Sequence, residues 1–299
     1  MATDLYQSIT DRILSLLEQG IVPWRSPILG HGPAGRPRNF ITGRDYRGIN
    51  VFLLAMTRHM EGYASSRWLT FRQANEIGGS VRKGERSTLV VFWKSYQTTD
   101  RVSGEEKTVP VLRYFRLFNA DQCEGLPAEE VATPIEAVRS PIESAAAIVG
   151  GYRNPPTLEH AGVRAFYRPS DDLVRVPPIE RFVGMEEYYA TLLHEMAHST
   201  AHSKRLARGI DTNPQSFGSS GYAKEELVAE MGAAFLCAEA GISPSVIENQ
   251  AAYIGGWMQR LRDDKRLVVT AAAAGQKAAD WILGRAHPNE TPSEEAVSS

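Results

Sequence analysis

Apolar residues at three- and four-residue spacing open the chain. Leu5, Ile9, Ile13, Leu16 and Leu17 recur along residues 4–18, and Gly20 stops the run, so the spacing predicts an amphipathic helix. The stretch from Val22 to Asn50 is dense in Pro, Gly and Arg and reads as loop with short extended pieces. Residues 49–60 read as a helix carrying Val51, Phe52, Leu54 and Ala55. Residues 70–77 read as a shorter helix, capped by Thr70 and ended by Gly78-Gly79. In 87–97 and 110–119 β-branched and aromatic residues dominate, which predicts two strands, with the polar segment 98–109 as the turn region between them.

The second half changes character. Residues 126–141, rich in Pro, Ala and Glu, read as a linker. A short helix follows near 142–150. Residues 164–178 have the pattern of a hairpin turning at Pro169-Ser170-Asp171-Asp172. Helical spacing returns in 185–203, 222–240, 245–263 and 268–284. The tail 286–299 has little to bury, and disorder is expected there. Together the pattern predicts an α+β chain of two domains, 1–125 and 142–285.

Bulk composition narrows the class. With 299 residues, 42% hydrophobic and 23% charged, the chain suits two ordinary globular domains. No run of about 18 apolar residues exists, so no transmembrane helix or membrane partner is expected. The N-terminus lacks the basic start and unbroken apolar run of a signal peptide, and Cys123 and Cys237 are the only cysteines. A reducing, cytoplasmic location is therefore expected. Charge is uneven. Residues 1–125 hold 17 Lys and Arg against 12 Asp and Glu, a surplus of +5, whereas 126–299 stand at −7. The first half is the one that suits a polyanion partner.

The chemistry sits in His194-Glu195-Met196-Ala197-His198, inside the helix predicted over 185–203. Histidines four apart put both imidazoles on one face, close enough to share an ion such as Zn²⁺, or another divalent metal such as Mn²⁺. Glu195 beside them has the position of a general base and acid, not of a ligand. A catalytic zinc site takes a third protein ligand. The metzincin pattern would need Gly at 201 and His at 204, where Ala201 and Lys204 stand. His202 lies about 12 Å along the axis from His194, too far to share its ion. The next helix offers Glu225, Glu226 and Glu230. We assign Glu226 as third ligand, with Glu225 as its alternative. Glu230 would accept from the free ring N–H of a ligand histidine. Tyr222 lies one turn before Glu226 and is a weaker candidate for steadying an oxyanion. The pattern indicates a zinc-dependent metallopeptidase of gluzincin type.

In residues 1–125, 14 aromatic residues interleave with the basic ones. Single-stranded bases stack on aromatic faces while Arg and Lys meet phosphates, and a duplex hides those faces. The candidate DNA contacts are Trp24, Arg25, Arg44, Tyr46, Arg47, Arg67, Trp68, Arg82, Lys83, Trp93 and Lys94, with Arg82 and Lys83 on a glycine-rich turn. A protein- or peptide-binding surface is the rival for this domain.

The segments VPWRSP, ITGRDYRGINVFLL, RWLTFRQANEIGGSVRKGERSTLVVFWK and LFNADQCEGLP of the first half recur in one order with YYATLLHEMAHSTAHSKRL, YAKEELVAEMGAAFLCAEAGI and AAAAGQKAADWIL of the second. Over about residues 4–284 this resembles the ArdC-type antirestriction proteins of conjugative plasmids. The resemblance implies an N-terminal domain binding single-stranded DNA and a C-terminal zincin-like metallopeptidase domain. It implies a role in protecting entering plasmid DNA from restriction. The family's metal motif falls on His194, Glu195 and His198, with the acidic helix at Glu225–Glu230. The resemblance names neither the third ligand nor the DNA contacts. A protein substrate, DNA-bound or related to restriction, is expected as a further partner. Two alternatives stay open: a single-strand binder with a structural or vestigial metal site, and a general protease for DNA-bound proteins.

Overall fold

The computed structural model describes residues 4–26, 35–99, 105–127, 139–210, 212, 219–243 and 250–285. Most of the expected linker and all of the expected tail lie outside the described residues. The fold is α+β with two packing units. One comprises 1–35, 47–52 and 134–286; the other comprises 36–46, 53–133 and 287–299. The change of unit after residue 133 falls inside the expected linker, but residues 1–35 and 47–52, expected in the first domain, join the second. The reason is α1 (Leu5–Glu18), whose Ile9, Ile13, Leu16 and Leu17 are buried in a face that packs against α7 (Gln250–Asp263) and α8 (Leu267–Ile282). Thr10 adds a hydrogen bond from its hydroxyl to the Lys265 carbonyl at 2.8 Å.

The other unit is built on a four-stranded sheet of order β1-β2-β5-β4: β1 (Arg38–Asn39), β2 (Arg67–Thr70), β5 (Glu106–Asn119) and β4 (Thr88–Thr99). The long β4–β5 pair is antiparallel, with Val90 opposite Phe115 and Val91 opposite Tyr114. Alternation sends Val90, Phe92, Phe115 and Leu117 to one face, where Tyr46, Leu54 and Trp68 complete a core. Leu89, Val91, Trp93, Tyr114 and Arg116 take the opposite face by the same register. Both predicted strands run further into the expected turn region than the sequence implied, because β pairing continues through its Thr-rich flanks. α2 (Ile49–Glu61) is divided between the units after Phe52. The expected Thr70 cap starts α3 (Phe71–Glu76) as a full capping box, with Gln73 N–H donating to the Thr70 hydroxyl and the Gln73 side chain accepting in return from Thr70 N–H. β3 (Ser80–Val81) and β6 (Cys123–Glu124) form a separate ladder.

In the first unit α4 (Pro141–Gly151) precedes a three-stranded sheet of order β7-β9-β8: β7 (Thr157–His160), β9 (Leu173–Val176) and β8 (Phe166–Arg168). β8 and β9 make the predicted hairpin, and Asp172 takes the left-handed conformation its turn requires, at φ 50°. α5 (Met185–Ser199) packs on this sheet and on α6 (Ser220–Ala240), which packs in turn on α8. Glycines set the spacing. A Cβ on Gly232 would meet Ala197 Cβ of α5 at 3.1 Å, and one on Gly275 of α8 would sit 2.9 Å from Gly232 N and Val228 O. No helix among the described residues is long and apolar enough to cross a membrane.

Candidate metal centre

α5 begins with Glu186 and Glu187 in its first turn, where acidic side chains favour the helix dipole. It ends at Ser199, earlier than the sequence predicts. The chain folds back there, with Leu206 N–H donating to Thr200 O and Arg208 N–H to Ala201 O, both at 2.9 Å. Arg205 holds this turn. Its guanidinium, fully buried, donates to Ser199 O at 2.7 Å and to Asn154 O at 3.1 Å, and pairs with Asp172. The end of the histidine-bearing helix is thus tied to the β8–β9 hairpin. His202, as expected, stands apart from the cluster; its Nδ1 accepts from Lys204 N–H at 3.1 Å.

α6 is capped by Ser219, whose hydroxyl accepts from Tyr222 N–H at 3.2 Å, and closes at Gly241 in the left-handed conformation. The Gly232–Ala197 approach brings its acidic turn against the α5 histidines. Among the described residues, ligand atoms of His194, His198 and Glu226 lie within 4.8 Å of one another. His194 Nε2 is 3.8 Å from Glu226 Oε2, and His198 Nε2 is 3.6 Å from Glu226 Oε1. The donors of a tetrahedral zinc site stand about 3.4 Å apart, so small contractions would close this set on an ion. The His194 and Glu226 side chains keep 23% and 27% exposure against 10% for His198, leaving one side of the cluster accessible. Glu195, one residue from His194, is buried in the same helix.

The other ring edge of His198 faces a second carboxylate. Its Nδ1 is buried without a partner within hydrogen-bond distance and lies 3.6 Å from Glu225 Oε1. Glu225 is gripped by Arg208, which sequence reasoning did not single out. Arg208 also donates to Thr200 Oγ1 at 2.8 Å and Ala197 O at 3.2 Å, so it caps α5 as well. Burial works to lower the His198 pKa, but the carboxylates of Glu225 and Glu226 outweigh it and raise it to about 10. Both carboxylates are held below their usual range: burial opposes this, and His194 and His198 prevail for Glu226, His198 and Arg208 for Glu225. The Tyr222 hydroxyl is pushed up by burial and by the adjacent Glu226.

Glu230 is placed differently from the expectation. It accepts from Trp24 Nε1 at 2.8 Å and Arg25 Nε at 3.3 Å, and from the Tyr253 hydroxyl. One turn beyond Glu226, its carboxylate is taken up by these donors, and Glu225 is the acid beside the histidine ring edge.

The same contacts correct the DNA list. A stacking platform needs an open ring face, and Trp24, Trp68 and Tyr46 are buried. Trp24 packs edge-on against Trp257, while Trp68 and Tyr46 belong to the core of the sheet unit. Arg25 lies over the Tyr253 ring at 5.0 Å, and Arg47 pairs with Asp280. Arg67 lies over Phe40 at 5.6 Å and Lys94 over Tyr96 at 5.8 Å. Arg44, Arg82 and Lys83 are exposed, with Arg82 paired to Glu85 at 2.9 Å. Trp93 is half-buried. Tyr114, at 49% exposure on the same face of the hairpin, and Phe71, at 56%, are exposed aromatics among the interleaved residues that were not among the candidate contacts.

Comparison with known proteins gives the lineage. The family model described as the N-terminal domain of anti-restriction factor ArdC matches residues 3–118, and the zincin-like metallopeptidase model matches 153–274. The uncharacterized protein y4eC of Sinorhizobium fredii is 37% identical over 94% of this chain and 92% of its own length. A DNA primase TraC of Escherichia coli is 34% identical over 93% of this chain, which spans 20% of that protein. The crystal structure of the antirestriction protein ArdC from plasmid R388 matches in metal-free form at 39% identity and a TM-score of 0.74, covering 99% of both chains. Its Mn(II)-bound form matches at the same identity and TM-score over 94% of this chain and 98% of that one. Joining an ArdC-type N-terminal domain to a zincin-like domain, this chain belongs to the ArdC antirestriction family.

Proposed function

We propose that this protein binds single-stranded DNA and carries a metal-dependent peptidase site, and that it protects incoming plasmid DNA from restriction. The observation that carries the peptidase half is Glu226 facing Nε2 of both His194 and His198. We assign those three as the metal ligands and Glu225 as the acceptor that fixes the His198 tautomer, leaving Nε2 for the ion. The chemistry of the donors, two imidazoles and a carboxylate, fits Zn²⁺ or Mn²⁺. A bound divalent ion would supply Lewis-acid activation of the substrate carbonyl and of water. Glu195 takes the proton from water as its oxygen bonds to the carbonyl carbon. It then delivers that proton to the amide nitrogen as the C–N bond breaks. The Tyr222 hydroxyl, held protonated, donates to the developing oxyanion. That the R388 relative has both a metal-free and a Mn(II)-bound structure, equally similar to this chain, favours a working ion over one needed for folding.

For DNA, the best-supported surface is the face of the β4–β5 hairpin carrying Trp93, Tyr114 and Arg116. It joins aromatic rings to a cation on the side of the ladder away from the core. Binding there would bring the peptidase to proteins on the same strand. The deciding experiment is transfer of a plasmid bearing unmodified restriction sites into a restricting recipient, with the wild-type protein and with Glu195→Gln. Protection by the wild type alone supports peptide hydrolysis as the mechanism. Equal protection by both assigns the role to DNA binding and removes the peptidase from it.

A further inference from the structure

Beside the metal cluster lies a cleft of about 170 Å³ that includes His194 in its wall. Its shape follows from helical spacing. On α5, Ala190 and Thr191 lie one turn before His194. On α6, the face that presents Glu226 continues through Glu230 to Ala233, Ala234 and Cys237. Small side chains along both faces leave the space between the helices unfilled. The far wall is Trp24, fixed by its bond to Glu230 and its edge contact with Trp257.

We propose that this cleft is the subsite for a medium-sized apolar side chain of the peptide substrate, next to the bond being cut. The proposal rests on the peptidase reading and deepens it. Three observations support it. The cleft shares His194 with the metal cluster, so a side chain seated there lies directly beside one of the proposed ligands. The lining is mainly apolar, and a cavity of about 150 Å³ is large enough to take benzene, so an isobutyl or phenyl group fits. The one buried acid in the wall, Glu230, is matched by Arg25 at 3.3 Å, so a charged side chain would have to break that pair. The class named is a peptide with Leu, Met or Phe adjoining the scissile bond. Trp24 then acts in specificity and not in base stacking.

The test uses the metal-loaded full chain and two hydroxamates that differ only in their tail, acetohydroxamic acid and 4-methylpentanohydroxamic acid, titrated by calorimetry. Seating the isobutyl tail should tighten binding about tenfold. Ala233→Leu, which fills the cleft from α6, should bring the ratio of the two affinities to about one with metal content retained. Thr191→Leu fills it from α5 and serves where Ala233→Leu does not fold. Equal affinities for the two probes in the wild type overturn the subsite and leave the metal site standing. Binding of neither probe by protein holding one ion per chain overturns the open coordination position, and the subsite with it.

Discussion

Arg208 grips Glu225 through both carboxylate oxygens, with Nε to Oε2 at 3.0 Å and Nη2 to Oε1 at 2.6 Å. A bidentate pair of this kind fixes an acid in orientation as well as in charge. It holds Oε1 3.6 Å from His198 Nδ1, and in the proposed assignment this places Glu225 behind the ligands and not among them. Arg208→Ala is therefore expected to weaken metal binding about 10- to 100-fold, the usual effect of losing a group that orients a ligand. Competition with a chelating dye measures it. Unchanged affinity would remove Glu225 from this role.

Asp172 and Arg205 secure the far end of the same helix. Burial raises the Asp172 pKa, but Arg205 and the Tyr167 hydroxyl prevail and hold it below the usual 3.8. A carboxylate depressed in the folded state contributes stability that is present above its unfolded pKa and lost as pH falls through the folded value. Acid unfolding of the wild type below about pH 4 should include this loss. Asp172→Asn keeps the left-handed turn but removes the charge facing a fully buried guanidinium. It should cost about 2–3 kcal/mol near neutral pH, with a flatter acid limb. Urea unfolding at pH 7 and pH 4 checks both.

The contact between α6 and α8 leaves no room at Gly275. Gly275→Ala would set a Cβ 2.9 Å from two backbone atoms of α6, which side-chain movement cannot relieve. The expected cost is about 1–3 kcal/mol, together with weaker metal binding because α6 carries Glu226. Thermal unfolding and metal content of one preparation should fall together.

Much of this was legible in sequence, for identifiable reasons. α5, α7 and α8 carry apolar positions at helical spacing, α6 is a long run of helix formers buried on all sides over 227–237, and the β8–β9 turn announces itself in Pro-Ser-Asp-Asp. His194 and His198 are legible because helical spacing alone puts them on one face. Glu226 follows because an ionised group inside an apolar helix needs a partner. What escaped depends on distant partners. Glu230 meets Trp24 across 206 residues of sequence, and no local pattern distinguishes a buried indole from an exposed one. Arg208 sits in an irregular turn with no periodicity to mark its direction. Strands as short as β1, β3 and β6 contain no full alternation.

The two kinds of aromatic residue in the sheet unit should separate cleanly. Tyr114→Ala, on the exposed face, should weaken single-stranded DNA binding by about 1–3 kcal/mol and leave the melting temperature within a degree or two. Trp68→Ala should destabilise the unit by about 3–5 kcal/mol. Fluorescence anisotropy with a short oligonucleotide, repeated at several salt concentrations, gives both the loss and the phosphate contribution. Full affinity in Tyr114→Ala would move the DNA to another face.

The central claim is that His194, His198 and Glu226 hold one divalent ion while Glu225 stands behind them. Counting metal per chain by mass spectrometry, after dialysis against a weak chelator, tests it most directly. One ion in the wild type, none in Glu226→Gln and partial occupancy in Glu225→Gln is the expected result. An ion retained by Glu226→Gln and lost by Glu225→Gln would contradict the assignment and make Glu225 the ligand.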